Sequence, residues 1–274
     1  ETDSALKTKT VAHHIKDTAS VSKLQLPKIF NTSKAKIMNK GCKELNFSLR
    51  KDWLSPAHTA LVWLYWTPDH RRVAVRLSHP TLMGMAKIQK ETCQMSSTKP
   101  VVGCVRSVSG LGFIHTCVMG VYLGASTYIV SPIDYANNPL TFFLTLSRYK
   151  VKDTYSTPQM LDHAIATIRP KGFSLTDTKN LIIAFEGRPR TDICNKIRIL
   201  FSQTGFESTS INLSYTHVLN PMITTRSYMS LEPVDVWLDP ISLRRGYVTM
   251  VNPELYPKAI HLQDSGMVPV GTQV

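Results

Sequence analysis

The stretch that decides the fold runs from Leu181 to Tyr215 and reads LIIAFEGRPRTDICNKIRILFSQTGFESTSINLSY. It opens with the continuous apolar run Leu181–Phe185, which is typical of a strand buried on both faces of a sheet. After a turn at Gly187-Arg188-Pro189, a helix is predicted over Thr191–Thr204, and a second strand follows over Ser210–Tyr215. This order of strand, helix and strand predicts an α/β fold with a mostly parallel sheet flanked by helices.

The same alternation continues toward the N terminus. Further strands are predicted over Thr59–Trp66, Val73–Leu77 and Val101–Val105, and further helices over Val11–Ser22, His79–Met95, Leu140–Tyr149 and Pro158–Ile168. From Val234 onward the helical patterns stop and short strands and turns remain. We therefore divide the chain into a basic leading segment (1–53), an α/β core (54–233) and a β-rich tail (234–274).

The run Leu111–Val130 is nearly all apolar for twenty residues and is long enough to be tested as a membrane span. Gly124-Ala125-Ser126 interrupts it like a helix stop, and the β-branched run Thr127–Val130 follows. A buried helix that leads into a buried strand explains this pattern better than a lipid-facing helix. His115, within the run, is interpreted as a core histidine rather than a ligand.

The net charge of +13 is concentrated near the N terminus. Between Lys7 and Lys51 there are eleven lysines and arginines against only Asp17 and Glu44. Such a segment could attract nucleic acid, anionic lipid or an acidic partner, although a solvated basic arm is the favoured interpretation. Because no aromatic residues interleave the lysines, nucleic acid is not expected as a partner.

The five cysteines favour a reducing, intracellular location. They are odd in number and include no C-x-x-C pair, so the sequence predicts neither a disulfide framework nor a zinc site. No other metal site is predicted. We expect a cytoplasmic protein, peripheral to organelle membranes if a basic surface binds anionic lipid.

The common catalytic and phosphate-binding motifs are missing. The sequence has no G-x-G-x-x-G, no Walker-type loop, no G-x-S-x-G elbow and no H-E-x-x-H. Ser109-Gly110-Leu111-Gly112 could present backbone N–H groups to an anion, but a close strand–helix packing turn is the favoured interpretation. Asp162 and His163 are adjacent on one helix and are not expected to form a dyad.

Several motifs in order resemble a known family. Gly110-Leu111-Gly112-Phe113 precedes an apolar helix, a strand ends at Ser131-Pro132, and Leu146–Thr154 and Ser242-Leu243-Arg244 follow. This succession resembles the fatty acyl-AMP ligase-like, AMP-binding domains of the disco-interacting protein 2 family, and a fungal member is expected. The resemblance covers roughly residues 54–274. It implies part of the large N-terminal domain of an adenylate-forming enzyme.

The resemblance also places the nucleotide site. The adenine region falls on Gly187, Pro189, Tyr215 and Thr216, and the phosphate loop falls on Thr67, Asp69, His70, Arg71 and Arg72. This loop has no glycine, and Val73 stands where the family has lysine. Leu219 occupies the place of the carboxylate that would hold magnesium, which requires oxygen ligands. The nucleotide motifs are therefore degenerate.

These departures predict a pseudoenzyme that binds acyl lipid or acts as a scaffold within a larger intracellular protein of lipid metabolism. No cofactor or catalytic residue is expected on this interpretation. The alternative is an active acyl-AMP ligase or acyltransferase with a non-standard site, which would use ATP or AMP and Mg²⁺. The resemblance implies that the preceding subdomain and a small C-terminal domain of the same polypeptide are partners, with acyl lipid or an anionic membrane surface as further candidates.

Overall fold

The computed structural model describes residues 3–22, 25, 55–66, 69–104, 110–217 and 219–272. Two compact units divide the chain, Glu1–Leu54 and Ser55–Val274. In the first unit the structure describes helix α1, Asp3–Val21, which confirms a helix over the predicted Val11–Ser22 and begins it earlier. His13 and Asp17 are four residues apart on this helix, with 3.5 Å between Nε2 and Oδ2, and both are well exposed.

The second unit is an α/β unit built around a six-stranded sheet. Its strands are β1 (Thr59–Trp66), β2 (Arg72–Ser78), β3 (Val101–Cys104), β4 (Thr127–Val130), β5 (Asp153–Ser156), β6 (Asn180–Phe185), β7 (Ile211–Tyr215), β8 (Thr224–Thr225), β9 (Asp235–Leu238) and β10 (Ile260–Gln263). Its helices are α2 (His79–Thr92), α3 (Gly110–Phe113), a π-helical segment (Ile114–Val118), α4 (Met119–Leu123), α5 (Pro132–Asn137), α6 (Leu140–Arg148), α7 (Pro158–Thr167), α8 (Thr191–Phe201) and α9 (Pro240–Arg244).

The sheet has the strand order β4-β3-β5-β6-β7-β8, and only β8 is antiparallel to its neighbour. The prediction of an α/β fold with a mostly parallel sheet is therefore confirmed. Strands β1 and β2 form a separate antiparallel hairpin, and β9 pairs with β10 in another. Helix α9 corrects the expectation that the tail has no helix, because Asp239 caps its N-terminus through Ile241 N and Ser242 N.

Helices cover both faces of the sheet, and strand β6 shows how the core is divided. Its alternate side chains Leu181, Ile183 and Phe185 join a cluster formed with α6, α7 and α8. The intervening Ile182 and Ala184 join a second cluster with α2, α3 and α4. All six residues of β6 are buried, as expected for a strand covered on both faces.

The apolar run Leu111–Val130 folds within this unit. It forms α3, the π-helical segment and α4, ends at Gly124 in the left-handed conformation (φ 69°), and continues as β4. β4 lies at the edge of the sheet, so Ile129 is 56% exposed and the prediction of a buried strand is wrong at this position. Among the described residues, no helix combines the length and apolarity that crossing a bilayer requires.

Hydrogen bonds link buried polar side chains at the amino ends of β5, β6 and β7, and we call this network the ladder. Asn212 Nδ2 donates to Asn180 Oδ1 (2.9 Å), and Asn180 Nδ2 donates to Asp153 Oδ1 (3.0 Å). Tyr228 donates its hydroxyl to the same Asp153 oxygen (2.6 Å). Burial raises the pKa of Asp153 above its usual range, against the opposing effect of these donors. The ladder therefore joins three strands to a residue far along the chain.

Candidate functional site

The larger of the two cavities described below opens at the carboxyl edge of the parallel sheet. It has a volume of about 660 Å³ and is lined by Tyr155, Thr157, Pro158, Gln159, Asp162, Ala184, Phe185, Glu186, Gly187, Arg188, Arg190 and Thr216. These residues come from the ends of β5, β6 and β7, from the loop between β6 and α8, and from the first turns of α7. Ligands of open α/β sheets bind at this edge.

Local hydrogen bonds fix the rim of the cavity. Thr157 caps α7 by accepting from the Met160 N–H (3.3 Å), and Pro158 occupies the first helical position. Thr216 donates its N–H (2.8 Å) and its hydroxyl (3.1 Å) to Phe185 O, so the ends of β6 and β7 are joined. Hydrogen bonds therefore join the strand ends and the start of α7 at the rim.

Two glycines of α3 explain how the floor is formed. A Cβ on Gly112 would lie 2.7 Å from Tyr155 Cε1, and a Cβ on Gly110 would lie 2.7 Å from Trp63 Cη2. Tyr155 is fully buried and lines the cavity. Close packing accounts for both glycines, as the packing interpretation of the Ser109–Gly112 turn predicts; Ser109 lies outside the described residues.

The charged groups of the cavity are largely committed to protein partners. Arg190 donates through Nε and Nη2 to the two carboxylate oxygens of Asp192 (2.8 Å each) and contacts Asp162 Oδ2 at 3.4 Å. The Arg190 guanidinium lowers the pKa of Asp192 to about 2. Arg188 donates to the backbone oxygen of His261 on β10. The charge of Arg190 is therefore neutralised by carboxylates, whereas Arg188 uses only one of its five N–H donors within the described part of the chain.

A second cavity adjoins the first at Gln159, which lines both. Its volume is about 360 Å³, and it is lined by Cys104, Pro132, Tyr135, Ala136, Gln159, Met160 and His163. Tyr135 donates its hydroxyl to Met160 O (2.6 Å), and His163 Nε2 donates to Ala136 O (2.8 Å). His163 and Asp162 thus line different cavities, as the sequence predicts for adjacent helix positions.

The structure separates the residues assigned to the adenine region. Gly187 and Thr216 line the larger cavity, whereas Pro189 and Tyr215 are not among its lining residues. Tyr215 packs on Phe185, with 5.6 Å between ring centroids and an interplanar angle of 46°. The sequence did not indicate Tyr155, Gln159 and Asp162 as cavity residues. The Thr157-Pro158 helix start was an available signal, because it marks where a strand end and a helix N-terminus meet.

Four of the residues assigned to the phosphate loop, Asp69, His70, Arg71 and Arg72, lie at the tip of the β1–β2 hairpin. The strands remain paired up to Trp66 and Arg72, and His70 adopts a positive φ of 61°. Arg71 Nε lies 2.8 Å from Asp69 Oδ2, and both side chains are exposed. Asp69, His70, Arg71 and Arg72 do not line either cavity described above, and Thr67 lies outside the described residues.

The remaining candidate residues have structural partners. His115 is fully buried, receives a hydrogen bond from Gln89 Nε2 at Nδ1 (2.7 Å), and has no partner for Nε2 among the described residues. Burial lowers the pKa of His115 to about 4. The side chain of Leu219 is 57% exposed. In the described part of the chain, no three His, Cys, Asp or Glu side chains cluster as a metal site, and the four described cysteines are free thiols.

Curated relatives match most or all of the chain. It is 43% identical over its full length to an uncharacterized protein of Schizosaccharomyces pombe, of which it spans 18%. It is 32% identical to the homeostatic regulator of DAG of Saccharomyces cerevisiae, over 91% of this chain and 17% of that protein. It is 23% identical to disco-interacting protein 2 homolog B of Mus musculus, over 73% of this chain and 13% of that protein. The chain therefore spans less than a fifth of these relatives.

Solved structures agree with the fold. A fatty acyl-adenylate ligase from L. pneumophila, solved with acyl adenylate and pyrophosphate, superposes with a TM-score of 0.65 at 18% identity over 77% of this chain and 37% of that one. A structure from a study of fatty acyl-adenylate ligases of E. coli and L. pneumophila gives 0.69 at 15% identity over 78% and 40%. No family model matches the sequence. Taken with the relatives, the chain belongs to the disco-interacting protein 2 family as part of a domain with the fatty acyl-AMP ligase fold.

Proposed function

We propose that this domain binds an acyl lipid at the carboxyl edge of its sheet and does not perform ATP-dependent adenylation at ordinary rates. It would serve as a lipid-binding or scaffolding part of a larger intracellular protein. The observation that carries the proposal is a retained cavity beside a degenerate phosphate loop. Arg190 in the cavity is neutralised by Asp192 and Asp162, and the hairpin that would bind phosphate is paired up to Trp66 and Arg72.

A magnesium triphosphate does not fit these residues. Binding one requires unpaired cations or backbone N–H groups for the phosphates and oxygen ligands for the metal. The hairpin tip has no glycine, its strands are paired up to Trp66 and Arg72, and Leu219 supplies no oxygen in its side chain. Loss of one preorganised electrostatic group costs about 3 kcal/mol in catalysis, and several are absent here.

Two further observations support a lipid ligand. One relative bears the name homeostatic regulator of DAG, which connects a protein of this family to a lipid. Apolar side chains of Tyr155, Ala184 and Phe185 line the larger cavity, and the second cavity adjoins it at Gln159. Together the two cavities offer a polar rim beside an apolar interior, which suits an amphipathic acyl ligand.

Titration calorimetry of the 274-residue chain tests the proposal. We expect a long-chain fatty acid to bind and ATP with Mg²⁺ to give no binding heat. Gly187→Phe should abolish lipid binding. A Cβ at Gly187 meets open space at the cavity, so the phenylalanine ring would occupy space that the lipid needs. The matched control is Gly84→Phe, which also meets open space but lies on α2. Micromolar ATP affinity, or lipid binding unchanged by Gly187→Phe, would overturn the proposal.

The second candidate function is an active acyl-AMP ligase or acyltransferase with a non-standard site. The retained cavity with Gly187 and Thr216 at its rim favours it, and Arg71, Arg72 and Tyr215 would be the further participants. ATP or AMP and Mg²⁺ would then be required. Fatty-acid-dependent pyrophosphate exchange by the full-length protein tests this function, and no exchange at any chain length would remove it.

We also propose that the rest of its own polypeptide is the main partner of this domain. Exposed apolar side chains in the tail, such as Tyr247, Val248, Met250 and Leu255, support such a contact. The preceding subdomain and the small C-terminal domain are the expected contacting parts. An intracellular position at the cytoplasmic face of organelle membranes is proposed on the same lipid connection. Fractionation of cells that express the tagged full-length protein would test the location.

A further inference from the structure

The amino edge of the sheet is a second ordered surface, opposite the cavities. The loops that precede β3, β5, β6 and β7 meet there because the strands are parallel. Lys152 Nζ donates to Gln94 O (3.0 Å), the Ser174 N–H donates to Ser147 Oγ (3.1 Å), and the Lys179 N–H donates to Lys152 O (2.9 Å). These contacts between loops make one continuous surface of them.

This amino edge carries a large excess of positive charge. Its loops, residues 94–100, 148–152, 169–179 and 205–210, contain seven cations: Lys99, Arg148, Lys150, Lys152, Arg169, Lys171 and Lys179. Within these described loops only Asp177 and Glu207 oppose them, and Glu207 is already paired with Lys179 (2.6 Å). The described residues at the carboxyl edge, 131–139, 186–190, 216–217 and 219–223, carry two cations and two carboxylates. Over the described residues the two edges of the sheet therefore differ in charge.

Two tyrosines lie within the basic edge. Tyr128 and Tyr149 stack with 3.8 Å between ring centroids, and the Arg148 guanidinium lies 5.6 Å from the Tyr149 ring. Lys150 follows with a positive φ of 51°, so its exposed side chain sits at the tip of a tight turn. Half-buried tyrosines beside lysines and arginines are typical of surfaces that meet the headgroup region of a bilayer.

We propose that this amino edge is a docking surface for the anionic headgroups of a lipid bilayer. The cations are distributed over three of these four loops, whereas both cavities described above lie at the opposite edge, so an extended charged surface fits better than an inserted peptide. Nucleic acid fits less well, because the two tyrosine rings stack on each other instead of presenting open faces to bases. In this orientation the cavities open away from the bilayer, so surface docking and cavity binding are separable.

Vesicle flotation of the 274-residue chain tests the proposal. Vesicles of phosphatidylcholine alone are compared with vesicles that also contain phosphatidylserine. We expect binding only to the anionic vesicles, decreasing as salt rises. Lys150→Glu with Lys171→Glu should weaken the partition coefficient by at least about tenfold, because each exposed cation near an anionic surface contributes roughly fivefold.

The matched control is Arg244→Glu with Lys258→Glu, which makes the same change in net charge on the tail. This control should keep most of the binding. A tenfold loss in the tail variant with normal binding by the loop variant would overturn the proposal in favour of the apolar tail. Equal binding by wild type and loop variant would also overturn it, because another basic region such as residues 7–51 would then be responsible. Tighter binding to duplex RNA than to anionic vesicles would overturn it as well.

Discussion

The carboxyl and amino edges of the sheet differ in whether their polar side chains are exposed or buried. At the carboxyl edge, β5, β6 and β7 end at an open cavity whose charged groups are balanced and exposed. At the amino edge the same three strands carry Asp153, Asn180 and Asn212 in their first or second positions, in a buried hydrogen-bonded ladder. The difference shows that the polar groups at the start of these strands hold the sheet together, whereas the charged groups beyond their ends surround an open cavity.

The largest effect is expected from breaking the ladder at its centre. Asn180→Leu leaves the Asp153 carboxyl group and the Asn212 amide without their shared partner in a buried place. We expect the free energy of unfolding to fall by about 4 kcal/mol in urea denaturation, because unpaired buried polar groups are costly. The exposed Asn195→Leu on α8 is the control. Equal stability of the two variants would contradict a structural role for the amino edge.

A pH titration should give the next largest effect. The native pKa of His115 is about 4, so between about pH 4 and its ordinary value near 6.5 the unfolded chain binds a proton that the native protein does not. Stability therefore falls as the pH is lowered through this window, by about 3 kcal/mol in total. The raised pKa of Asp153 acts in the opposite direction, so the difference between wild type and His115→Gln isolates the histidine.

Urea denaturation at several pH values measures that difference. Wild type should lose stability relative to His115→Gln as the pH falls from 6.5 to 4, and the two should run parallel above pH 7. Parallel curves throughout would show that His115 titrates in the native state as it does in the unfolded chain.

Gly112→Ala should disturb the floor of the cavity. The added methyl would lie 2.7 Å from the buried Tyr155 ring, so the ring or α3 must shift. We expect a loss of about 2 kcal/mol in the free energy of unfolding, as is usual for overpacking, together with weaker ligand binding. Gly84→Ala is the control, because nothing lies within 4 Å and alanine favours the helix by about 0.5–1 kcal/mol. If both variants are stabilised, the floor is not tightly packed.

Much of the fold could be predicted from strands whose side chains are apolar. The run Leu181–Phe185 indicates β6 because each of its residues prefers the interior. Strand β5, DTYS, occupies the centre of the sheet and is fully buried, yet it was not predicted. Its polar groups are satisfied by distant partners, including Val102 O for Thr154 Oγ1 (2.9 Å) and Tyr228 for Asp153. No local pattern contains that information.

The site was predictable to a lesser extent. Resemblance indicated Gly187 and Thr216, which line the cavity, but not Gln159 or Tyr155, which become neighbours of these residues only through parallel pairing. The short helix α5, Pro132–Asn137, was also missed, because Ser131-Pro132 was interpreted only as a strand end. Ser131 in fact accepts a hydrogen bond from the Ile133 N–H (3.2 Å), and this cap is a signal that sequence alone could have provided.

The smallest expected effect concerns the capping residue at the cavity rim. Thr157→Ala removes the hydroxyl that accepts from the Met160 N–H at the start of α7. We expect a loss of about 1 kcal/mol in the free energy of unfolding, since a helix cap contributes about this much, and Thr157→Ser should restore it. Because the carboxyl edge is held by such single contacts and the amino edge by a buried network, this loss should stay well below that of Asn180→Leu. Urea denaturation of Thr157→Ala and Asn180→Leu side by side measures this difference. A larger loss of stability in Thr157→Ala would contradict the stated contrast between the two edges.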